Sequence, residues 1–151
     1  MPAGKRKDLR NLFLSFLFLA IFSLDRFTKY YALKIPSQGI PIIKGIFHLT
    51  LVFNTGSAFG LFKDTNYLFI IFSLLTIIFI LRYLKKLILF KIKFAFILVL
   101  SGAVGNIVDR IIFGYVIDFL DFRIWPVFNF ADISITLGIF LILISILKNK
   151  R

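Results

Sequence analysis

Three aspartates inside long apolar segments are the residues of this chain whose type and placement most clearly indicate chemistry. Asp25 interrupts the first apolar segment, Asp109 lies in the third, and Asp132 lies near the start of the fourth. An ionisable side chain inside a membrane-spanning helix is costly, so it usually marks a functional site. Asp132 has no basic residue within four positions, so a purely structural ion pair would need a partner from another helix.

Asp109 and Asp132 each follow an asparagine by three positions, which is a second regularity. Asn106 precedes Asp109 and Asn129 precedes Asp132, and residues three apart share one face of a helix. Each asparagine is expected to hydrogen-bond near its own carboxylate and hold its rotamer. Two carboxylates close together in a low-dielectric site share one proton, as in an aspartic protease. One member would activate water and the other would hydrogen-bond to the developing oxyanion, and the sequence leaves open which is which.

The composition restricts the other classes of chemistry. The chain has 151 residues, of which 60% are hydrophobic, with seven acidic residues, one histidine and no cysteine. The absence of cysteine excludes a disulfide, a thiolate nucleophile and a thiolate metal site, and we expect no protein-built metal site and no cofactor. The net charge of +12 comes from basic residues at the ends of apolar segments, so we predict no nucleic-acid partner.

Four apolar segments approach the roughly 20 residues that a bilayer-crossing helix needs. Lysines and arginines cluster at the N-terminus, between the second and third segments and at the C-terminus, which predicts that all three regions are cytoplasmic. The first segment resembles a secretory signal peptide but lacks a convincing cleavage site, so we interpret it as a retained span. The prediction is an all-α membrane protein that forms a single membrane domain, 1–151, with N-in/C-in topology. The predicted spans are about 12–31, 66–84, 94–113 and 128–147. The predicted outer loops are about 34–65 and 114–127.

The predicted topology places the two Asn-x-x-Asp aspartates close beneath the outer surface. At 1.5 Å per residue, Asp109 lies about 22 Å along the third span, and Asp132 lies about 6 Å into the fourth. The hydrocarbon core is about 30 Å thick, so the two carboxylates can lie at one level.

The remaining polar residues at this end receive simpler interpretations. Asp25 and Lys29 are four apart and can form a local helix pair. We favour a different arrangement, in which Asp25 anchors the outer loop and Lys29 extends toward lipid headgroups or substrate. The partial alternation from Ile42 to Asn54 predicts a β-strand. Asp118 and Asp121 are expected to be solvated carboxylates of the second outer loop.

Four blocks of the sequence, in order, resemble the motifs of the lipoprotein signal peptidase (signal peptidase II) family. The resemblance implies an aspartic endopeptidase of the membrane that removes signal peptides from bacterial prolipoproteins, cutting before a diacylglyceryl-modified cysteine. It also implies that no metal is used and that a small extracytoplasmic sheet lies between spans one and two. The blocks are Asp25–Lys29, Phe53–Gly60, Gly102–Arg110 continuing to Val116–Phe119, and Phe128–Asp132.

The same resemblance implies roles for individual residues. It implies that Asp109 and Asp132 are the catalytic pair, and Asp118 matches the family motif as a residue that orients the loop. The expected partners are lipidated prolipoproteins and membrane lipid, with inhibition by globomycin-type cyclic peptides. The expected location is the bacterial cytoplasmic membrane, with the active site near its outer surface. The residues expected to bind substrate or support the site are Asp25, Lys29, Asn54, Asn106, Arg110, Asn129 and Ala131.

Two other classes of membrane protein fit the sequence less well. A proton-coupled transporter also uses aspartates inside its spans, but here they cluster toward one side, and no inverted repeat is evident. A membrane anchoring protein can use buried polar residues to hold helices together, but it does not explain the doubled Asn-x-x-Asp spacing. The sequence therefore favours a protease.

Overall fold

The computed structural model of the chain describes residues 3–56, 66–84 and 90–148. Four of its helices are long and apolar enough to cross a membrane, and each overlaps one of the spans predicted from the sequence. In chain order, the elements are α1 (Ala3–Ala32), β1 (Ile40–Ile43), β2 (Phe47–Asn54), α2 (Asn66–Leu84), α3 (Phe90–Phe113), β3 (Val116–Asp121) and α4 (Phe130–Lys148).

Helix α3 is the central helix of the bundle and contacts α1, α2 and α4. Glycines allow two of these approaches, because a helix without side chains at the contact can come closer to its neighbour. A Cβ added at Gly138 of α4 would lie 2.7 Å from the carbonyl oxygen of Ala95 on α3. A Cβ added at Gly105 of α3 would lie 2.7 Å from an oxygen of Asp25 on α1. Close packing around α3 thus brings residues of three helices together.

The three strands form one antiparallel sheet in the order β1-β2-β3. The strand predicted before α2 is confirmed, as a hairpin of β1 and β2 rather than one continuous strand. The third strand comes from the connection between α3 and α4, which the sequence analysis treated as a loop only. All six residues of β3 are buried, because the strand pairs with β2 and lies against the helices.

The sheet lies at the end of the bundle where α1 ends and α4 begins. Ile117 and Phe119 of β3 belong to a buried cluster that also contains Ala32 of α1, and Phe130 and Ile133 of α4 pack against this cluster. Burial of these apolar side chains fixes β3 over the polar residues of the helices. Asp25 of α1 is thereby brought to the same end of the molecule as the aspartates of α3, β3 and α4.

Candidate active site

A first group of polar residues joins α1 to α3 through charged contacts. Arg26 Nη1 lies 2.6 Å from Asp109 Oδ1, and Lys29 Nζ lies 2.7 Å from Asp109 Oδ2. Both cations also contact Asp25 Oδ2, at 2.7 Å for Arg26 and 3.1 Å for Lys29. We call Asp25, Arg26, Lys29 and Asp109 the four-charge network. Its two carboxylates and the lysine are almost wholly buried, so their charges are compensated mainly within the network.

The positions of Asp25 and Lys29 correct the sequence-based interpretation. Lys29 does not extend toward headgroups, because its side chain is only 1% exposed and ends in the four-charge network. Asp25 does form the local pair with Lys29, but it anchors α4 rather than the outer loop. Its Oδ1 accepts a hydrogen bond of 3.1 Å from the backbone N–H of Ala131. The missing side chain at Gly105 provides the space in which Asp25 lies.

A second group joins α3, β2, β3 and α4 through amide side chains. Asn129 Nδ2 donates to Asp118 Oδ1 at 2.6 Å, and the backbone N–H of Asn129 donates to Asp132 Oδ2 at 3.2 Å. Asn54 Nδ2 donates to Asp118 Oδ2 at 2.9 Å, and Asn106 Nδ2 donates to Asp132 Oδ1 at 2.7 Å. We call Asp118 and Asp132 the amide-bound pair. Neither carboxylate forms a salt bridge with a residue that the structure describes.

Asp118 is not the solvated loop carboxylate that the sequence analysis expected. It is only 2% exposed, because β3 lies between β2 and the helices. Burial, together with the negative charge of Asp132, raises the pKa of Asp118 to about 7, although hydrogen bonds from Asn54 and Asn129 oppose the rise. A carboxyl group with this pKa holds a proton for about half of the time at neutral pH. Asp118 and Asp132 thus interact as a like-charge pair.

Asp121 was also expected to be solvated, and it is instead 5% exposed at the end of β3. Its carboxylate accepts hydrogen bonds from Thr50 Oγ1 at 2.9 Å and from the backbone N–H of Arg123 at 2.8 Å. Burial acts to raise the pKa of Asp121, but these bonds and the charge of Arg123 outweigh it and lower the pKa. Asp121 therefore stays ionised and ties β3 to β2.

The asparagines act differently from the sequence-based expectation. Asn129 does hold its own partner, since its Oδ1 accepts the backbone N–H of Asp132 at 2.9 Å. Asn106, in contrast, donates across to Asp132 instead of to Asp109. Its Oδ1 accepts a hydrogen bond of 2.8 Å from Lys29 Nζ. An ammonium group can only donate, so Lys29 fixes the Asn106 amide with its NH₂ toward Asp132.

The structure brings the predicted site residues to one end of the bundle, but it separates Asp109 from Asp132 in their contacts. Asp109 belongs to the four-charge network, and the connection between the two runs through Lys29 and Asn106. Asp109 Oδ2 also accepts the backbone N–H of Ile117 at 3.3 Å, one residue before Asp118. Asp109 thereby holds the start of β3.

The sequence analysis did not include two charged side chains of this end of the bundle among its candidate site residues. One is Arg26, whose signal was a second charge beside Asp25 inside the apolar segment. The other is the buried Asp118, whose signal was a carboxylate among the apolar residues of the Val116–Asp121 strand. Only part of the Phe53–Gly60 block can be placed, because 57–60 lie outside the described residues.

Arg110 lies half-buried near the amide-bound pair, where its positive charge is attracted by Asp132 and Asp118. Its guanidinium lies 5.1 Å from the centre of the Phe69 ring, a cation–π arrangement. Its Nε is buried and has no hydrogen-bond partner within 3–56, 66–84 and 90–148. Arg110 can therefore offer a donor to a group that enters the site.

A cavity of about 540 Å³ adjoins Asp132. One wall comes from α4, including Ile133 and Leu137, and the other comes from the segment between β3 and α4, including Phe122 and Phe128. Its lining is mostly apolar, and Asp132 is its only charged lining residue among those described. An acyl chain or an apolar peptide segment could therefore lie beside a carboxylate here.

Comparison with known proteins gives a consistent answer. Residues 17–148 match the family described as signal peptidase (SPase) II. The chain belongs to the signal peptidase II family. It is 42% identical over 136 residues to the lipoprotein signal peptidase of Halothermothrix orenii, covering 88% of this chain and 94% of that protein. It is 40% identical over 137 residues to that of Clostridioides difficile, covering 87% of this chain and 92% of that protein.

Solved structures agree with the sequence relatives. Two chains described as bacterial membrane enzymes are each 29% identical to this one, with TM-scores of 0.83 and 0.80. The first alignment covers 91% of this chain and 88% of that chain. The second covers 89% of this chain and 92% of that chain. These findings confirm the predicted family and the multi-pass membrane fold. They also confirm the predicted enzyme class, a protease that removes signal peptides from prolipoproteins.

Proposed function

We propose that Asp118 and Asp132 are the acid–base pair with which this enzyme cleaves prolipoproteins, and that Asp109 has a structural role. The observation that carries the proposal is Asn129, which donates to Asp118 through its side chain and to Asp132 through its backbone. Asn129 thus links a buried carboxylate, Asp118, to a half-buried one, Asp132, and neither forms a salt bridge with a described residue. This assignment replaces the pairing of Asp109 with Asp132 that the Asn-x-x-Asp spacing suggested.

The reaction follows from one proton shared by the pair. Asp132, as the carboxylate, takes a proton from a water molecule, and the water oxygen attacks the scissile carbonyl carbon. Asp118 enters this step protonated, in keeping with its pKa of about 7, and gives its proton to the carbonyl oxygen. When the C–N bond then breaks, the leaving nitrogen takes the proton held by Asp132. Asp118 recovers its proton as the new carbonyl re-forms.

The surrounding amides support this chemistry. The donors at Asn54, Asn106 and Asn129 fix the orientation of the carboxyl groups without cancelling their charge. A cation in contact with either carboxylate would stabilise the ionised form and weaken the shared proton. Arg110 is attracted by both carboxylates, and its Nε has no hydrogen-bond partner among the described residues, so it is placed to bind a substrate carbonyl or the developing oxyanion.

Asp109 is poorly suited to act on water. Arg26 and Lys29 occupy one oxygen each, and the second oxygen also accepts the Ile117 amide. Both oxygens of Asp109 are thus occupied by donors from the protein, so neither is free to orient a water molecule. Its contribution is positional: it joins α1 to α3 and holds the first residues of β3, so that Asp118 meets Asp132.

The substrate and the membrane arrangement complete the proposal. The substrate is a prolipoprotein with a diacylglyceryl-modified cysteine, and the apolar cavity beside Asp132 has a lining suited to acyl chain or signal peptide. Residues 1–151 form one membrane domain of the bacterial cytoplasmic membrane, with both termini inside and the sheet and active site near the outer surface. A cyclic peptide of the globomycin type would compete for the same site.

The test uses purified full-length enzyme and two forms of one prolipoprotein, with and without the diacylglyceryl group. We expect release of the signal peptide from the lipidated form only, because the lipid holds the scissile bond in register with the pair. Equal cleavage of both forms would contradict the lipid requirement. No cleavage of either form would contradict the proposed function.

A further inference from the structure

A groove lies between α1 and α3 in the half of the bundle away from the aspartates. It has a volume of about 490 Å³, and its lining residues come from these two helices only. Polar lining residues, Asn11, Ser15 and Lys93, lie toward the N-terminal end of each helix. Apolar lining residues, including Leu19 and Leu100, continue the groove toward the middle of the bundle. The groove is thus polar at one end and apolar along the rest.

The polar end of the groove carries positive charge that no salt bridge among the described residues compensates. Lys93 is half-buried near the start of α3, whose first turn has no acidic residue and whose N-terminal end is itself partly positive. Arg10 lies at the same level, since its guanidinium is 4.8 Å from the centre of the Phe90 ring. Within the part of the chain that the structure describes, neither Lys93 nor Arg10 forms a salt bridge.

We propose that this groove binds one anionic phospholipid. The phosphate lies against Lys93 and the polar side chains of Asn11 and Ser15, and one acyl chain follows the apolar wall toward Leu19 and Leu100. The length fits, because Asn11 to Leu19 spans about 12 Å of helix and half of a hydrocarbon core is about 15 Å. Basic pockets between membrane helices bind anionic headgroups for the same electrostatic reason.

The positive charge of Lys93 favours an anionic lipid over a neutral one. A half-buried ammonium near a helix N-terminus lacks a counter-charge, and a zwitterionic headgroup brings its own cation to the same place. An anionic headgroup supplies the missing negative charge and keeps the ends of α1 and α3 together. The lipid belongs to the leaflet at the N-terminal end of α1, so this site is separate from the active site at the other end of the bundle.

Lys93 and Lys91 provide a matched pair for the test. Both lie near the start of α3, but Lys93 lines the groove and Lys91 is exposed. Lys93→Gln and Lys91→Gln therefore remove the same charge from the same helix end. Each full-length variant is reconstituted in nanodiscs of phosphatidylcholine with or without phosphatidylglycerol. Retained lipid is counted by native mass spectrometry after release into detergent.

We expect the wild type and Lys91→Gln to retain one phosphatidylglycerol in preference to phosphatidylcholine, and Lys93→Gln to lose about fivefold in this retention. A second variant, Ser15→Leu, keeps every charge and fills the groove, and it should also lose the bound lipid. Prolipoprotein cleavage should be unchanged in Lys91→Gln and Ser15→Leu. The proposal fails if phosphatidylglycerol is not preferred, if both lysine variants lose it equally, or if Ser15→Leu still retains it.

Discussion

The four-charge network and the amide-bound pair lie at the same end of the bundle, but their carboxylates contact different kinds of groups. Asp109 contacts two cations, at 2.6 Å and 2.7 Å. Asp118 and Asp132 contact amide groups instead. The cations balance the charge of the Asp109 carboxylate, whereas neutral amides fix the position of a carboxylate without balancing its charge. The proposed assignment therefore rests on the partners of each aspartate and not on its depth or spacing.

The two groups are also connected. Lys29 donates to both Asp109 and Asn106, and Asn106 in turn donates to Asp132. Because the lysine is buried and can only donate, the four-charge network sets the orientation of the Asn106 amide that contacts Asp132. Under the proposed assignment, the four-charge network would position the amide-bound pair through Asn106.

The largest expected effect is the loss of proteolysis when the amide-bound pair is broken. Asp132→Asn and Asp118→Asn should each lower the cleavage rate by about 10²- to 10⁴-fold, because the amide cannot act as an acid or a base. The double variant should be little worse than either single one, since the two groups act as a unit. Prolipoprotein cleavage per mole of folded enzyme measures this. A single variant with more than about a tenth of the wild-type rate would exclude its residue from the pair.

The second largest expected effect is on stability, and it should differ between the four-charge network and the amide-bound pair. Asp109→Asn should lower the free energy of unfolding by about 3–5 kcal/mol, because it leaves Arg26 and Lys29 in a buried site with one carboxylate. Asp118→Asn is the matched control: it loses one of the two amide hydrogen bonds to Asp118 but removes repulsion from Asp132, so its stability should fall by less than that of Asp109→Asn. Thermal unfolding in detergent compares the two. Equal stability of Asp109→Asn and wild type would mean that the network is not structural.

A smaller effect concerns pH. The folded pKa of Asp118, about 7, lies above its ordinary value of 3.8, so its protonated form favours the folded state. The stabilisation is fully present below about pH 4 and is lost as the pH rises through about 7. The cleavage rate kcat/KM should fall over the same alkaline range as the acid loses its proton. Asp118→Asn should flatten the dependence of the unfolding temperature on pH between 4 and 8. If the variant keeps the wild-type dependence, a group other than Asp118 causes the change of stability with pH.

Chelation should have no effect at all. The chain has no cysteine and a single histidine. Within residues 3–56, 66–84 and 90–148, no cluster of three potential ligands is found. Activity should be the same with and without EDTA in the prolipoprotein assay. A loss that added zinc restores would replace the aspartic mechanism with a metal-dependent one.

Much of the fold was predictable because it follows from long apolar segments. The helices α2 and α3 end within a few residues of the predicted spans, since a run of apolar residues between basic clusters has few alternatives in a bilayer. Asp132 and Asn129 were found for a similar reason: their spacing on one helix is visible in the sequence and their mutual hydrogen bonds are local.

The parts that were missed depend on contacts between distant segments. Asp118 appeared to be a loop residue because nothing local buries it, and its partner Asn54 lies 64 positions earlier in the chain. Lys29 was expected to reach the lipid headgroups because its partners Asn106 and Asp109 are on another helix. A carboxylate or an ammonium inside an apolar segment signals a partner, but the sequence does not say which one.

The measurement that tests the central claim most directly is infrared absorption of protonated carboxyl groups in purified enzyme between pH 5 and 9. The amide-bound pair should give a protonated-carboxyl band that disappears through about pH 7. The band should remain in Asp109→Asn and be absent from Asp118→Asn, because the proton belongs to the pair and not to the four-charge network. A band that persists in Asp118→Asn and vanishes in Asp109→Asn would contradict the account.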